Sequence, residues 1–417
     1  MSRFNSIDDV WVFLNSIPLF QKAGVSAVNY SLDNISKFCE ALGNPQKEYP
    51  AIHVAGTNGK GTTCHLLEKI YSDAGYNTGL FISPHLIRYN ERVRVNQREI
   101  TDQDLLRFFQ RTETLLDDIK LSYFEISTAL AFWYFADQKV DIAIIETGLG
   151  GRLDSTNIIS PEVSVITSIG MDHQSILGDT IEEITAEKAG IIKPDTPLVI
   201  GNVTGVSKRI LEATALQKNS KCYAVIDLKP EWNNGSVTLK DGDVQIKTLF
   251  KEAVNKWNVV SSWLVIDVLK SSFPINEAQR ILSIEKFTGA PGRFEKIHSD
   301  YEWFFSGSHN AQALESSLQA VQAIKSISET VLVFSAMKDK LNEDMLEYFK
   351  GFKKAYFVEQ DGERAAKFSD IKDSLDVELM EETQKENILN ELKTELVIFM
   401  GSFYFYPIVK RWTANVS

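Results

Sequence analysis

The sequence predicts an α/β protein of two domains: a doubly wound, mostly parallel sheet, then a smaller Rossmann-like α/β domain. Three observations carry this. The chain has 417 residues, more than one hydrophobic core usually organises. Short apolar runs, each closing on Gly, Ser or Thr, alternate with amphipathic stretches. The alternation breaks at "EKFTGAPGRFEKI" (285–297), where Gly289, Pro291 and Gly292 crowd together, and then resumes.

The first series is "AIHVAG", "TGLFIS", "VDIAIIETG", "VSVITSIG" and "TPLVIG". Strands apolar on both faces need cover on both sides, which is the setting of a parallel sheet flanked by helices. Between the first two, Thr62 to Ala74 places Leu66, Leu67, Ile70, Tyr71 and Ala74 on one helical face. From about 204 to 250 the chain turns polar and turn-rich, and reads as a β-like insertion or hairpin within the first domain. After the break, "EWFFSGS", "ETVLVFSAM", "KAYFVEQ" and "ELVIFMGS" form the second series. The expected domains are therefore 1–289 and 290–417.

Hydrophobic residues at 44% and charged residues at 24% describe a globular chain, and no run approaches the roughly 18 apolar residues of a membrane span. The first twenty residues mix acids with apolar residues and show no small-residue cleavage site, so no export signal is expected. Cys39, Cys64 and Cys222 lie far apart with no metal spacing, which points to a reducing cytoplasm. A net charge of −12 argues against nucleic-acid binding. An anionic substrate must then meet positive charge gathered locally.

Such charge lies in the strand-to-helix turn Gly56 to Thr62, "GTNGKGT". Free amides and the helix dipole attract phosphate there. Gly56, Gly59 and Gly61 allow close approach, Lys60 supplies charge, and Thr62 or Thr63 offers a hydroxyl to Mg2+. The spacing differs from the ordinary P-loop, in which four residues separate the first glycine from Gly-Lys. Glu146 closes a buried strand at the edge where ligands of open α/β sheets gather. Asp172 and His173 lie beyond the next strand, and Ser83 ends another, followed by Arg88, Arg92 and Arg94. Arg152 follows Gly148 to Gly151 and adds charge near the same edge. Composition alone makes Lys188, set among acids in "TIEEITAEKAGIIK", a solvated residue.

Seven stretches in order, "HVAGTNGKGTT", "FISPHLIRYNERVRVN", "YFEISTALAFWYF", "IIETGLGGRLDSTN", "SIGMDHQSILGDTIEEITAEKAGIIK", "GAPGRFE" and "SGSHNAQAL", resemble the folylpolyglutamate synthase/dihydrofolate synthase family, ATP-dependent amide ligases related to the Mur ligases. The resemblance runs from about Ala27 to "MGSFYFY" near the end. It implies a Mur-ligase-like ATP-binding domain over 1–289 and a ligase domain over 290–417. ATP would phosphorylate a pteroate or folyl-glutamate carboxylate, and L-glutamate would attack the acyl phosphate. It also implies that Thr57, Asn58, Gly59, Lys60, Gly61 and Thr62 cradle phosphates, with Asn258, Arg293, Ser306 and His309 completing the nucleotide site. Ser83, Glu146 and His173 would hold Mg2+, and a carbamylated Lys188 would support a second ion, with Lys60, Lys188 and His173 as the catalytic group. Phe124, Glu125, Leu153 and Asp154 would face the pterin. Small-molecule partners, no membrane and a monomer are expected. The departures cluster late: Ser306 stands where the family has aspartate, Ala311 where it has proline, Asn255 where it has glutamine, and Leu341 ends an Asp-Lys-Asp. They motivate a second reading, a Mur-like or paralogous ligase for another acid. A nucleotide-binding module without turnover is the non-enzymatic alternative.

Overall fold

The structure, a computed structural model, describes residues 3–18, 31–239, 243–414 and 416. Ala27, where the resemblance begins, lies outside them. The chain forms two compact units, Met1–Thr248 with Asn255–Phe287, and Leu249–Val254 with Thr288–Ser417.

The first unit is built on an eight-stranded sheet in the order β4-β3-β2-β5-β1-β6-β7-β8. Its strands are β1 (Ala51–Ala55), β2 (Thr78–Phe81), β3 (Val93–Val95), β4 (Arg98–Glu99), β5 (Ile142–Glu146), β6 (Val163–Ser168), β7 (Leu198–Asn202) and β8 (Cys222–Ala224). The strands from β2 to β8 run parallel, and β3 and β4 add an antiparallel edge. All five apolar runs of the first series are strands. Every residue of β1, β2, β5 and β6 is buried, as cover on both faces requires. Because β1 pairs with β5 on one side and β6 on the other, the turns after all three share one edge.

The helix Lys60–Asp73 is buried well beyond one face, including Thr63, Cys64, His65 and Glu68. The sheet covers one side of it, and the helices Asn255–Leu269 and Glu277–Glu285 cover the other. The stretch from 204 to 250 differs from expectation. It opens with the helix Gly205–Gln217, then β8, and only then a three-stranded antiparallel sheet of β9 (Glu231–Asn233), β10 (Ser236–Leu239) and β11 (Val244–Lys247). Ser207, Leu211 and Ala215 bury a helical stripe that the polar residues between them disguise.

The second unit has a six-stranded sheet in the order β12-β13-β17-β14-β15-β16. The strands are β12 (Glu295–Lys296), β13 (Trp303–Ser306), β14 (Thr330–Ser335), β15 (Lys354–Phe357), β16 (Glu378–Leu379) and β17 (Leu396–Gly401). All but β12 run parallel. The helix Ala311–Ile324 buries Leu314, Ser317, Ala320 and Val321. Among the described residues, no helix is long and apolar enough to cross a membrane.

Candidate active site

The turn after β1 is clasped by the end of β6. The Thr57 amide donates to Ser168 O at 2.8 Å and the Asn58 amide to Ser168 Oγ at 2.9 Å. Thr167 Oγ1 donates to Asn58 O at 2.7 Å, and Thr57 Oγ1 to Gly170 O at 3.1 Å. Two glycines make this fit possible. A Cβ on Gly56 would stand 2.0 Å from Thr167 Oγ1, and one on Gly59 would stand 2.4 Å from Asn258 Oδ1. Gly59 also holds φ at +88°, a left-handed value that disfavours other residues. Asn258 is set by its own amide, which donates to Asn255 Oδ1 at 2.8 Å. Asparagine at 255 is thus a working partner.

Two lysines converge on one carbonyl. Lys60 Nζ donates to Gly56 O at 2.9 Å and to Thr57 O at 3.3 Å, and Lys188 Nζ donates to the same Gly56 O at 3.0 Å. Lys188 is 4% exposed, so the surface reading from composition is wrong. The helix Ile181–Ala189 packs it under the phosphate turn. Burial, then Lys60, pushes its amine down to about 7, against the pull of Asp172 and Asp154.

Glu146 is buried at the end of β5, opposite Val54 in register, and its Oε2 accepts the Ser83 amide at 3.2 Å. A Cβ on Gly61 would lie 3.8 Å from the same oxygen. Ser83, Glu146 and the start of the helix after the turn therefore stand together. His173 sits beyond β6 with φ at +53°, its Nε2 3.9 Å from Asp172 Oδ1.

The four pterin-side residues divide. A Cβ on Gly148 would meet the Phe124 ring at 2.4 Å, so that ring lies against the turn following Glu146. Glu125 is buried and caps its own helix, accepting from the Ser122 amide at 2.8 Å and hydroxyl at 2.7 Å. Leu153 is half-buried. Asp154 holds the loop: it accepts from the Leu149 amide at 2.8 Å and from the Thr156 amide and hydroxyl at 3.1 and 2.5 Å. Burial raises its carboxyl despite these donors. Behind it, His53 Nε2 lies 2.9 Å from Thr156 Oγ1. A carboxylate only accepts, so Thr156 donates to Asp154 and His53 donates to Thr156. Burial, then Lys193, lowers the His53 imidazole to about 3, so it stays neutral.

The four arginines have separate fates. Arg88 is exposed and 3.4 Å from Asp102, Arg94 lies 3.5 Å from buried Glu68, and Arg152 bridges Glu187 at 2.7 Å. Arg152 is therefore committed to Glu187. Arg92 alone of the four makes no ion pair among the described residues.

In the second unit, the Arg293 guanidinium lies 4.3 Å over the Phe403 ring, and His309 Nδ1 is 3.0 Å from Gly307 O. Ser306 belongs to a buried ring of hydroxyls, 2.8 Å from both Ser308 and Ser317, while Ser317 donates to Glu252 at 3.1 Å. Ala311 opens a helix capped by Asn310, the first helical position, which proline also suits. Leu341 packs on the apolar core.

Comparisons with known proteins fit this geometry. A model of the Mur ligase middle domain matches residues 54–259, and one of the Mur ligase glutamate ligase domain matches 292–403. The dihydrofolate synthase/folylpolyglutamate synthase of Bacillus subtilis is 31% identical over 92% of this chain and 95% of its own. The chain belongs to the folylpolyglutamate synthase/dihydrofolate synthase family. The Escherichia coli relative is 33% identical over 75% of this chain and 73% of its own. Among solved structures, the E. coli FolC complex with ADP superposes with a TM-score of 0.86, at 27% identity, covering 99% of this chain and 98% of that one. The AMPPCP complex of a folylpolyglutamate synthase gives a TM-score of 0.81 at 26% identity over 98% and 100% of the two chains. The protein is accordingly an ATP-dependent ligase of this family.

Sequence reading overlooked Thr167 and Ser168, His53, and the Glu252 contact to Ser317. Two hydroxyl residues ending β6 are a signal for the first. The others depend on packing that no local pattern reveals.

Proposed function

We propose that this family member joins L-glutamate to dihydropteroate or to reduced folates. The observation that carries the reading is the convergence at one sheet edge of the clasped turn, Lys60, Ser83, Glu146 and the buried amine of Lys188. One carboxylate oxygen of the acid attacks the γ-phosphorus of ATP and ADP departs. The unprotonated amine of L-glutamate then attacks the acyl carbon, phosphate leaves, and the nitrogen gives up a proton as the amide forms. Turn amides and Lys60 bind the phosphates and stabilise the charge that moves onto the bridging oxygen.

The Ser83 hydroxyl and Glu146 carboxylate are hard oxygen donors, suited to magnesium, and His173 is a further ligand by resemblance. Those residues would hold Mg2+, and charge neutralisation on the phosphates is what the ion supplies when bound. The resemblance gives Lys188 a carbamate that supports a second ion, and its depressed amine suits that reaction, because only the neutral amine adds to carbon dioxide. Arg293, Ser306 and His309 are assigned to the nucleotide by the resemblance. Unpaired Cys39, Cys64 and Cys222 suit a reducing cytoplasm, and we take the enzyme to act as a monomer.

The test is ADP release with Mg2+ and ATP. Stimulation by dihydropteroate or tetrahydrofolate together with L-glutamate is expected. No stimulation by either acid would defeat the substrate assignment. Stimulation by a different acid in the same panel would favour the paralogous reading.

A further inference from the structure

Arg92 is 7% exposed, and its terminal nitrogens have no hydrogen-bond partner among the described residues. Its Nε donates to His85 Nδ1 at 2.8 Å, so the imidazole keeps its proton on Nε2. The guanidinium carbon lies 5.4 Å from the Tyr123 ring centroid and 5.9 Å from that of Tyr89. Two carboxylates nearby in the chain, Glu91 and Asp102, are committed elsewhere. Glu91 accepts three backbone amides, from Leu86, Ile87 and Arg88, at 2.7, 2.9 and 2.6 Å. Asp102 accepts from Asn90 at 2.8 Å.

A guanidinium cannot shed its proton, so it stays charged when buried. Two aromatic faces compensate in part. The fork of terminal N–H donors matches a carboxylate or a phosphate taken in bidentate fashion, and its place beside the segment assigned to the acid substrate favours the carboxylate. Location narrows the source. His85 is two residues beyond Ser83, and Tyr123 precedes Phe124, whose ring lies against Gly148. The fork thus stands between the segment that meets Glu146 and the segment assigned to the acid substrate.

We propose that Arg92, oriented by His85 and framed by Tyr89 and Tyr123, binds a carboxylate that does not react. Resting on the proposed ligase reading, this carboxylate belongs either to the glutamyl tail of a folate substrate or to incoming L-glutamate. Dihydropteroate has no such tail, so Arg92 would let one site treat the two acids differently.

The test compares wild type, Arg92→Gln and Arg92→Lys. Without ATP, calorimetric binding of pteroate and pteroylglutamate reads the tail directly and does not depend on turnover. With the tail as ligand, Arg92→Gln weakens pteroylglutamate by about 10-fold or more and narrows its advantage over pteroate. In turnover, the ratio of KM for tetrahydrofolate to KM for dihydropteroate rises to match. A rise in KM for L-glutamate with both acids instead identifies incoming glutamate as the source. Equal weakening of pteroate and pteroylglutamate, or no change in any of the three ligands, overturns the proposal. If Arg92→Gln fails to fold, Arg92→Lys decides: it keeps the charge but loses the fork, and the same selective loss, smaller in size, is required. A chain that hydrolyses no ATP with either acid defeats the ligase reading, and the binding comparison still tests the fork.

Discussion

The amine of Lys188 is expected to be half neutral near pH 7, and the structure gives that a measurable consequence. Burial brings it from 10.5 to about 7, with Lys60 adding to the effect and Asp172 and Asp154 opposing it. An ordinary lysine at pH 7 is neutral in roughly one molecule in three thousand, so the reactive form is enriched about a thousandfold. The same displacement has a stability cost on the order of 5 kcal/mol when the folded protein must hold the proton. The folded value lies below the unfolded one. Below pH 7 both states are protonated and the cost is complete. Between 7 and 10.5 the unfolded state binds the proton and the folded state releases it, so stability rises with pH, and above 10.5 the cost is gone. The perturbation is Lys188→Met, read by denaturant unfolding in carbon-dioxide-free buffer from pH 6 to 11. The gap between wild type and variant should shift in favour of wild type by about 1.4 kcal/mol per pH unit inside the window and stay level outside it. In 13C-bicarbonate, a carbamate resonance should appear in wild type and be absent from the variant. A gap that is flat across the window, or a carbamate signal independent of Lys188, would refute the reasoning.

Lys60→Ala should lower kcat by about a hundredfold or more while unfolding stays near wild type, because among the described residues its ammonium hydrogen-bonds carbonyls of its own turn. Steady-state kinetics beside a denaturant curve checks both halves. Gly59→Ala should cost about 1–2 kcal/mol for the left-handed backbone and raise KM for ATP, since the new methyl meets Asn258. Unchanged stability would mean that the turn has another arrangement. Thr156→Val removes the hydroxyl between His53 and Asp154 at nearly constant volume and should destabilise by about 1–3 kcal/mol. Thr156→Ser, which retains that hydroxyl, should recover most of the loss in the same thermal-melt series.

What was legible in the sequence was legible because it is local. The nine strands read from apolar runs are there because an extended segment without a polar face has nowhere to lie except inside a covered sheet. The phosphate turn was readable because glycine spacing, a strand and a helix occur within a dozen residues. Lys188 was misjudged on composition because its acidic neighbours describe its helix, whereas its burial comes from Gly56, 132 residues away. Arg88, Arg92 and Arg94 look alike in one short stretch, yet one is exposed, one has no ion pair among the described residues and one is bound to buried Glu68. Which carboxylates answer them is decided by the fold. The helix Gly205–Gln217 was hidden by its own polarity.

The short segment Leu249–Val254 belongs to the second unit, yet it precedes the helices Asn255–Leu269 and Glu277–Glu285 that complete the first. During synthesis the first unit cannot close until residues up to Phe287 have emerged. By then Leu249–Val254 has already been made, and it must wait for Ser317 before Glu252 finds its hydroxyl. A gene cut at Thr288 would therefore separate the second unit from one of its own pieces. The two halves are interlaced along the message, and a fragment beginning at Thr288 is expected to be less stable than one that carries Leu249–Val254 in addition.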